Sequence, residues 1–185
     1  MNVLRLVLLI SLVVLTAKAQ QNSVQQPGTQ PRSAVPASCP VTTPPEPPFI
    51  PPIYDELSEN EFPVGTEKLW TYLSKSGIWE WEPHKPGHEH QVQPLTVKIT
   101  WLSVDYDWRT ELRPNLTVTG KRLDGPASPL LLLPPTNIAG RNARYGFMLS
   151  GVYVPTPGCW EITGDYKGQK LSFVVWVQPV KQGNQ

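Results

Sequence analysis

All three histidines of the chain fall within one short segment, Pro83-His84-Lys85-Pro86-Gly87-His88-Glu89-His90. Imidazole is the commonest protein ligand for zinc, copper and nickel, and clustered ligands need little chain entropy to converge. His84, His88 and His90, with an oxygen from Glu89, would therefore hold copper or zinc in preference to calcium. Two prolines and a glycine mark the same segment as an exposed loop, and its spacing matches no zinc signature. A solvated polar loop is the plainer interpretation.

A second set of candidates is aromatic and acidic. Trp79 and Trp81 share one strand face at i, i+2, and Trp101 and Trp108 flank Asp105 and Asp107. Exposed rings beside polar groups are what a sugar-binding surface uses, so Trp79, Trp81 and Trp108 form a candidate glycan platform. Large aromatics at alternating strand positions more often fill a core. In Asp105-Tyr106-Asp107 the two carboxylates fall on one side of an expected strand, suited to a hard cation or to acid–base work. Ordinary strand-end charges explain them as well.

Hydrolytic chemistry has little support. There is no G-x-S-x-G segment, and a Ser-His-Asp arrangement would have to recruit the single histidine loop. No glycine-rich phosphate cradle is present, and Asn115-Leu116-Thr117 matches a glycosylation acceptor only by pattern. The residues favour a non-enzymatic interaction or structural module whose partner is an unknown protein or a surface glycan, with no resident cofactor.

The elements that must position these residues are strands. Residues 155–177 form a hairpin in which Trp160, Ile162 and Gly164 share one face, as do Leu171, Phe173, Val175 and Val177. Gly168 supplies the positive φ for its turn. Further strands are expected at Lys68–Leu73, Ile78–Glu82, Leu95–Val104, Leu116–Arg122, Leu130–Leu133 and Tyr145–Val154, with a short helical turn over Tyr54–Asn60. A hairpin this apolar on one face needs a second sheet against it. Seven or eight short strands punctuated by Gly and Pro predict an all-β, immunoglobulin-like two-sheet β-sandwich.

The ends of the chain read differently. Arg5, the apolar run Leu6–Leu15 and Ala17-Lys18-Ala19 have the pattern of a signal peptide over residues 1–19, cleaved between Ala19 and Gln20. The run is too short to span a bilayer. Removing Arg5 and Lys18 changes 16 basic residues to 14 against 15 acidic ones, a net charge of −1. No basic block remains to follow a phosphate backbone, which argues against nucleic-acid binding. Residues 20–52 carry ten prolines between Pro27 and Pro52 and little apolar mass, the composition of a disordered Pro-rich arm. The sandwich is then expected over residues 53–180, with a flexible tail at 181–185, in a periplasmic or extracellular protein.

Cys39 and Cys159 are the two cysteines of a chain that reads as exported, so one disulfide is expected. It closes a loop of about 120 residues, worth ~5 kcal/mol in the chain-entropy model. Cys159 has the opposite parity to Trp160 and Ile162, which turns its sulfur away from the main core.

The segments CPVTTPP at 39–45, KLWTYL at 68–73, NLTVTGKRLDGP at 115–126 and PTPGCWEITG at 155–164 resemble a family of exported bacterial proteins. Its members share a C-P-V-T segment, a G-x-R-L-D element and a P-T-x-G-C-W-E-V/I-T-G hairpin ending in F-V-x-x-V. The resemblance covers most of residues 39–177. It implies a bacterial, extracytoplasmic setting rather than a mechanism, and it implies that both cysteines belong to the design. The histidine loop at 83–90 departs from that pattern, so a function common to the family would lie elsewhere.

Overall fold

The computed structural model describes residues 34–53, 57–81, 97–140 and 145–180. The signal segment, the first part of the arm, the loop carrying His84, His88, Glu89 and His90, and the tail at 181–185 lie outside these residues.

The described chain is all-β, built from nine strands. They are β1 (Glu61–Gly65), β2 (Trp70–Ser74), β3 (Ile78–Trp81), β4 (Val97–Leu102), β5 (Leu116–Arg122), β6 (Leu131–Ala139), β7 (Gly146–Tyr153), β8 (Gly158–Tyr166) and β9 (Gln169–Pro179). Two sheets face each other, a five-stranded one in the order β1-β2-β4-β7-β6 and a four-stranded one in the order β3-β9-β8-β5. All pairings are antiparallel except β3 beside β9, which is parallel.

The alternation in the sequence decides which side chains meet between the sheets. Ile99 and Trp101 of β4, Met148 and Val152 of β7, Trp160 and Ile162 of β8, and Phe173, Val175 and Val177 of β9 are all buried in one cluster. Trp101 and Phe173 meet across the sandwich with ring centroids 5.9 Å apart. Gly164 leaves the space that the Trp101 ring fills, since a Cβ there would run into the ring. The Trp101 indole N–H donates to Ser150 Oγ at 2.9 Å, and Thr71 Oγ1 donates to the Thr100 carbonyl at 2.7 Å. These buried groups are thus paired, as burial requires, whereas the buried Trp70 indole N–H has no hydrogen-bond partner among the described residues.

At the β8–β9 turn both central residues have positive φ, 51° at Lys167 and 78° at Gly168, as in a type I′ hairpin. β2 and β3 lie in different sheets, so the intervening Ser74–Gly77 segment crosses the sandwich rather than closing a hairpin. Gly77 makes this change of sheet at φ 63°, and its carbonyl accepts the Trp176 N–H at 2.8 Å.

Several expectations are corrected. Of the helical turn expected over Tyr54–Asn60, residues 54–56 lie outside the described residues, and 58–61 form one turn closed by the Glu61 N–H on the Ser58 carbonyl at 3.0 Å, from which β1 starts. β4 is shorter than Leu95–Val104, because the chain leaves the sheet after Leu102. Residues 34–52, expected from composition to be part of a disordered arm, are fastened to the domain. Cys39 and Pro51 are buried, and the N–H of Thr42 donates to the Val174 carbonyl at 2.9 Å. In return the Val174 N–H donates to Thr42 Oγ1 at 2.8 Å. Prolines prevent this segment from forming a regular strand, but two bonds and a disulfide suffice to fasten it.

The Cys39–Cys159 disulfide is formed, and no other cysteine exists in the chain. In the ladder Cys159 stands opposite Trp176, and Trp160 opposite Val175. Its sulfur is therefore on the outer face of the four-stranded sheet, as parity requires. The arm meets that face at Cys159, where both cysteines are buried, and leaves Thr117, Thr119 and Ser172 exposed.

Candidate interaction surfaces

At one end of the sandwich the loop from β4 to β5 carries Asp105, Asp107 and Trp108. These residues follow the strand rather than extending it, so the two carboxylates do not share a strand face. Asp105 pairs with Lys68 at 3.3 Å. Asp107 organises its own loop: Oδ1 accepts the Arg109 N–H at 3.0 Å, Oδ2 accepts the Thr110 hydroxyl at 2.9 Å, and the carbonyl accepts the Glu111 N–H at 2.9 Å. The Arg109 N–H, followed by the Thr110 hydroxyl, holds this carboxyl below the usual aspartate range.

Glu111 ties that loop to the β8–β9 turn. Its Oε2 accepts the Tyr166 hydroxyl at 2.6 Å and pairs with Lys167 Nζ at 3.3 Å, while Oε1 accepts the Asn115 N–H at 2.9 Å. Burial pushes its pKa up, but the bonds from Tyr166, Asn115 and Lys167 outweigh burial and bring it below the ordinary glutamate value. Burial first, and then the bond to Glu111, pushes the Tyr166 phenol well above its usual value. Tyr106, packed edge-on against Tyr166, is raised to about 12 by burial and then by the Glu111 charge. Lys167 Nζ also donates to the Asp105 carbonyl at 2.7 Å. The network fixes one loop on another. Its carboxylates are engaged by protein donors, and among the described residues no three His, Cys, Asp or Glu side chains cluster as a metal site would need.

The tryptophans pack inward. Trp79 and Trp81 are half-buried against the core; Trp79 meets Phe173 edge-to-face at 6.1 Å, and the Trp81 indole N–H donates to the Val154 carbonyl at 2.8 Å. Trp108 is also half-buried, closely packed on Gly146, with the Arg109 guanidinium 4.6 Å above its ring. Among the described residues its buried indole N–H has no hydrogen-bond partner. Trp108 stands at the β4–β5 loop, whereas Trp79 and Trp81 stand on edge strand β3. The structure does not bring the three into one aromatic platform.

Two surfaces have no counterpart in the sequence reasoning. One is an open groove of about 260 Å³ on the outer face of the five-stranded sheet, lined by Tyr72, Lys98, Thr100, Leu102, Tyr145 and Phe147 among others. Outward positions on a strand read simply as solvent-facing, so periodicity gives no sign of it.

The other is the edge strand β6. Leu131, Leu132 and Leu133 are 60%, 44% and 46% exposed, and Ile138 is also exposed. Leu131 and Leu133 stand opposite Tyr153 and Gly151, on the outer face, whereas Leu132 stands opposite the core residue Val152. A run of leucines normally signals a buried strand, but here only Leu130 is buried. The register then shifts between Leu133 and Thr136, where Pro134 and Pro135 interrupt the strand. From Gly125 to Gly140 no residue is charged. The other three sheet edges each carry charge: Glu61 on β1, Glu80 on β3, Lys121 and Arg122 on β5. Charged side chains are the usual protection of an edge against unintended pairing. β6 lacks charge and is interrupted instead by Pro134 and Pro135, which leave Leu131–Leu133 as its unguarded stretch.

No family model, curated protein or solved structure matches the chain.

Proposed function

We propose that this chain is an exported, non-enzymatic interaction module with an immunoglobulin-like sandwich as its scaffold. Strand order supports the scaffold assignment. β2-β4-β7-β6 against β5-β8-β9 follows the ABED and CFG arrangement of that fold, with β3 as the segment that changes sheets and pairs parallel with the last strand. A buried disulfide fits an oxidising compartment, the periplasm or the exterior of a bacterium.

The observation that carries the functional reading is the exposed, charge-free edge β6. An edge strand offers backbone donors and acceptors for strand addition, and apolar side chains on it supply the burial that such pairing needs. A photo-reactive amino acid placed at Leu132 in the protein expressed in a bacterium should give discrete cross-linked adducts. The same probe at Thr119, exposed on edge strand β5, should give few. Absence of adducts at Leu132, or equal adducts at both positions, contradicts the reading.

A further inference from the structure

The uncharged edge also specifies its partner. Resting on the interaction-module reading, we infer that β6 pairs antiparallel with β6 of a second copy of this chain, joining the two five-stranded sheets into one.

Three observations lead there. First, the edge carries nothing that would select a charged partner. Gly125–Gly140 has no charge to complement, and the formal net charge is only +1 for the full chain and −1 without residues 1–19. Two copies therefore meet without appreciable repulsion, the condition in which proteins associate most readily. Second, the sequence is self-complementary in only one kind of register. Leu131 and Leu133 point to the outer face and Leu132 to the core side. Antiparallel partners directly opposite each other share a face. A two-fold axis at Leu132 therefore sets Leu132 against Leu132 of the second copy, and Leu131 against Leu133 of the second copy, keeping like faces together. Shifting by one residue would set outer-face leucines against core-side ones. Third, Pro129 and Pro134 bound the window. Neither has an N–H, and about an axis at Leu132 they fall opposite Pro135 and Leu130, so the ladder is confined to Leu131–Leu133 and cannot grow into an open-ended sheet. Because the axis is two-fold, the contact closes on itself as a dimer.

The contact is short. Three residues of ladder and three half-exposed leucines bury less than the ~800 Å² per partner of a standard interface. The dimer is thus a weak one, with a midpoint between about 10 µM and 1 mM.

The test uses the absence of any free thiol in the protein. Leu132→Cys introduces one, and under mild oxidation it should give an intermolecular disulfide dimer, because opposed Cα atoms at ~4.5–5.5 Å are within disulfide reach. Leu131→Cys mixed with Leu133→Cys should cross-link faster than either variant alone, and Thr119→Cys should remain monomeric. Sedimentation velocity of the unmodified protein should show a concentration-dependent dimer, and Leu132→Lys should remove it while near-UV circular dichroism shows the sandwich intact. A monomer at every concentration up to about 1 mM, or cross-linking at Leu132 no faster than at Thr119, overturns the inference. So does preferential pairing of Leu131→Cys with itself. Photo-adducts at Leu132 that contain a different polypeptide, together with monomeric sedimentation, would overturn the dimer and leave the interaction-module reading standing.

Discussion

Burial and pairing at single residues account for most of what the candidate residues do. Asp107 and Glu111 look catalytic by type and proximity, but their oxygens are occupied by the hydrogen bonds that build the β4–β5 loop. That role predicts a pH dependence. Both groups are held below their ordinary pKa in the folded protein, as is Asp124, chiefly by its bond from Arg122. Their stabilisation is full above the unfolded carboxylate range and is lost as pH falls through it, so Tm should be flat from about pH 7 to 5 and drop below about pH 4.5. Glu111→Gln should lower Tm at neutral pH and make the acid decline shallower. An unchanged acid profile would remove Glu111 from the network. The tryptophans allow a second comparison. Trp101→Phe strands Ser150 Oγ in the core and should cost about 2–3 kcal/mol in chemical denaturation. Trp108→Phe removes an indole N–H that has no partner among the described residues and should cost less than ~1 kcal/mol.

Among the elements, legibility followed alternation. β5 and β8 are plain in the sequence because apolar and polar residues alternate and one face is buried, and β7 and β9 because they are short apolar runs between turn residues. Trp160, Ile162, Phe173 and Val175 alone identify the four-stranded sheet's inner face. β1 was not legible, since Glu-Phe-Pro-Val-Gly has one buried residue and a proline, and its pairing with β2 is a tertiary outcome. The arm departs from its expectation for a related reason: proline content reports the absence of regular structure, not the absence of contact. Parity at Cys159 gave the correct face of the disulfide, but no local signal reveals that Thr42 caps the free edge of β9 at Val174. Two substitutions test these elements. Gly164→Ala forces the Trp101 ring from its place and should cost about 1–3 kcal/mol. Cys39→Ser with Cys159→Ser should cost about 2–5 kcal/mol and make residues 34–45 sensitive to protease while the sandwich remains folded under mild conditions. An arm still protected in that variant would mean the disulfide is not what holds it.

For the whole molecule, the arrangement is a two-sheet sandwich strapped along the four-stranded face and left open along one edge of the five-stranded face. The sequence pattern makes the sandwich readable, but it cannot say which strands end up at edges, because that depends on pairing order. The exposed leucines of β6 therefore became a candidate surface only once the neighbours of β7 were known. Amide hydrogen exchange tests the central claim most directly, because it reads the edge without altering it. In dilute protein the amides of β4, β7, β8 and β9 should be strongly protected and those of Leu131–Leu133 should include fast exchangers. Raising the concentration towards 1 mM should slow exchange at Leu131–Leu133 and leave Leu116–Arg122 of β5 unchanged. Exchange at Leu131–Leu133 that is the same at every concentration, whether fast or slow, would contradict an edge that serves to pair.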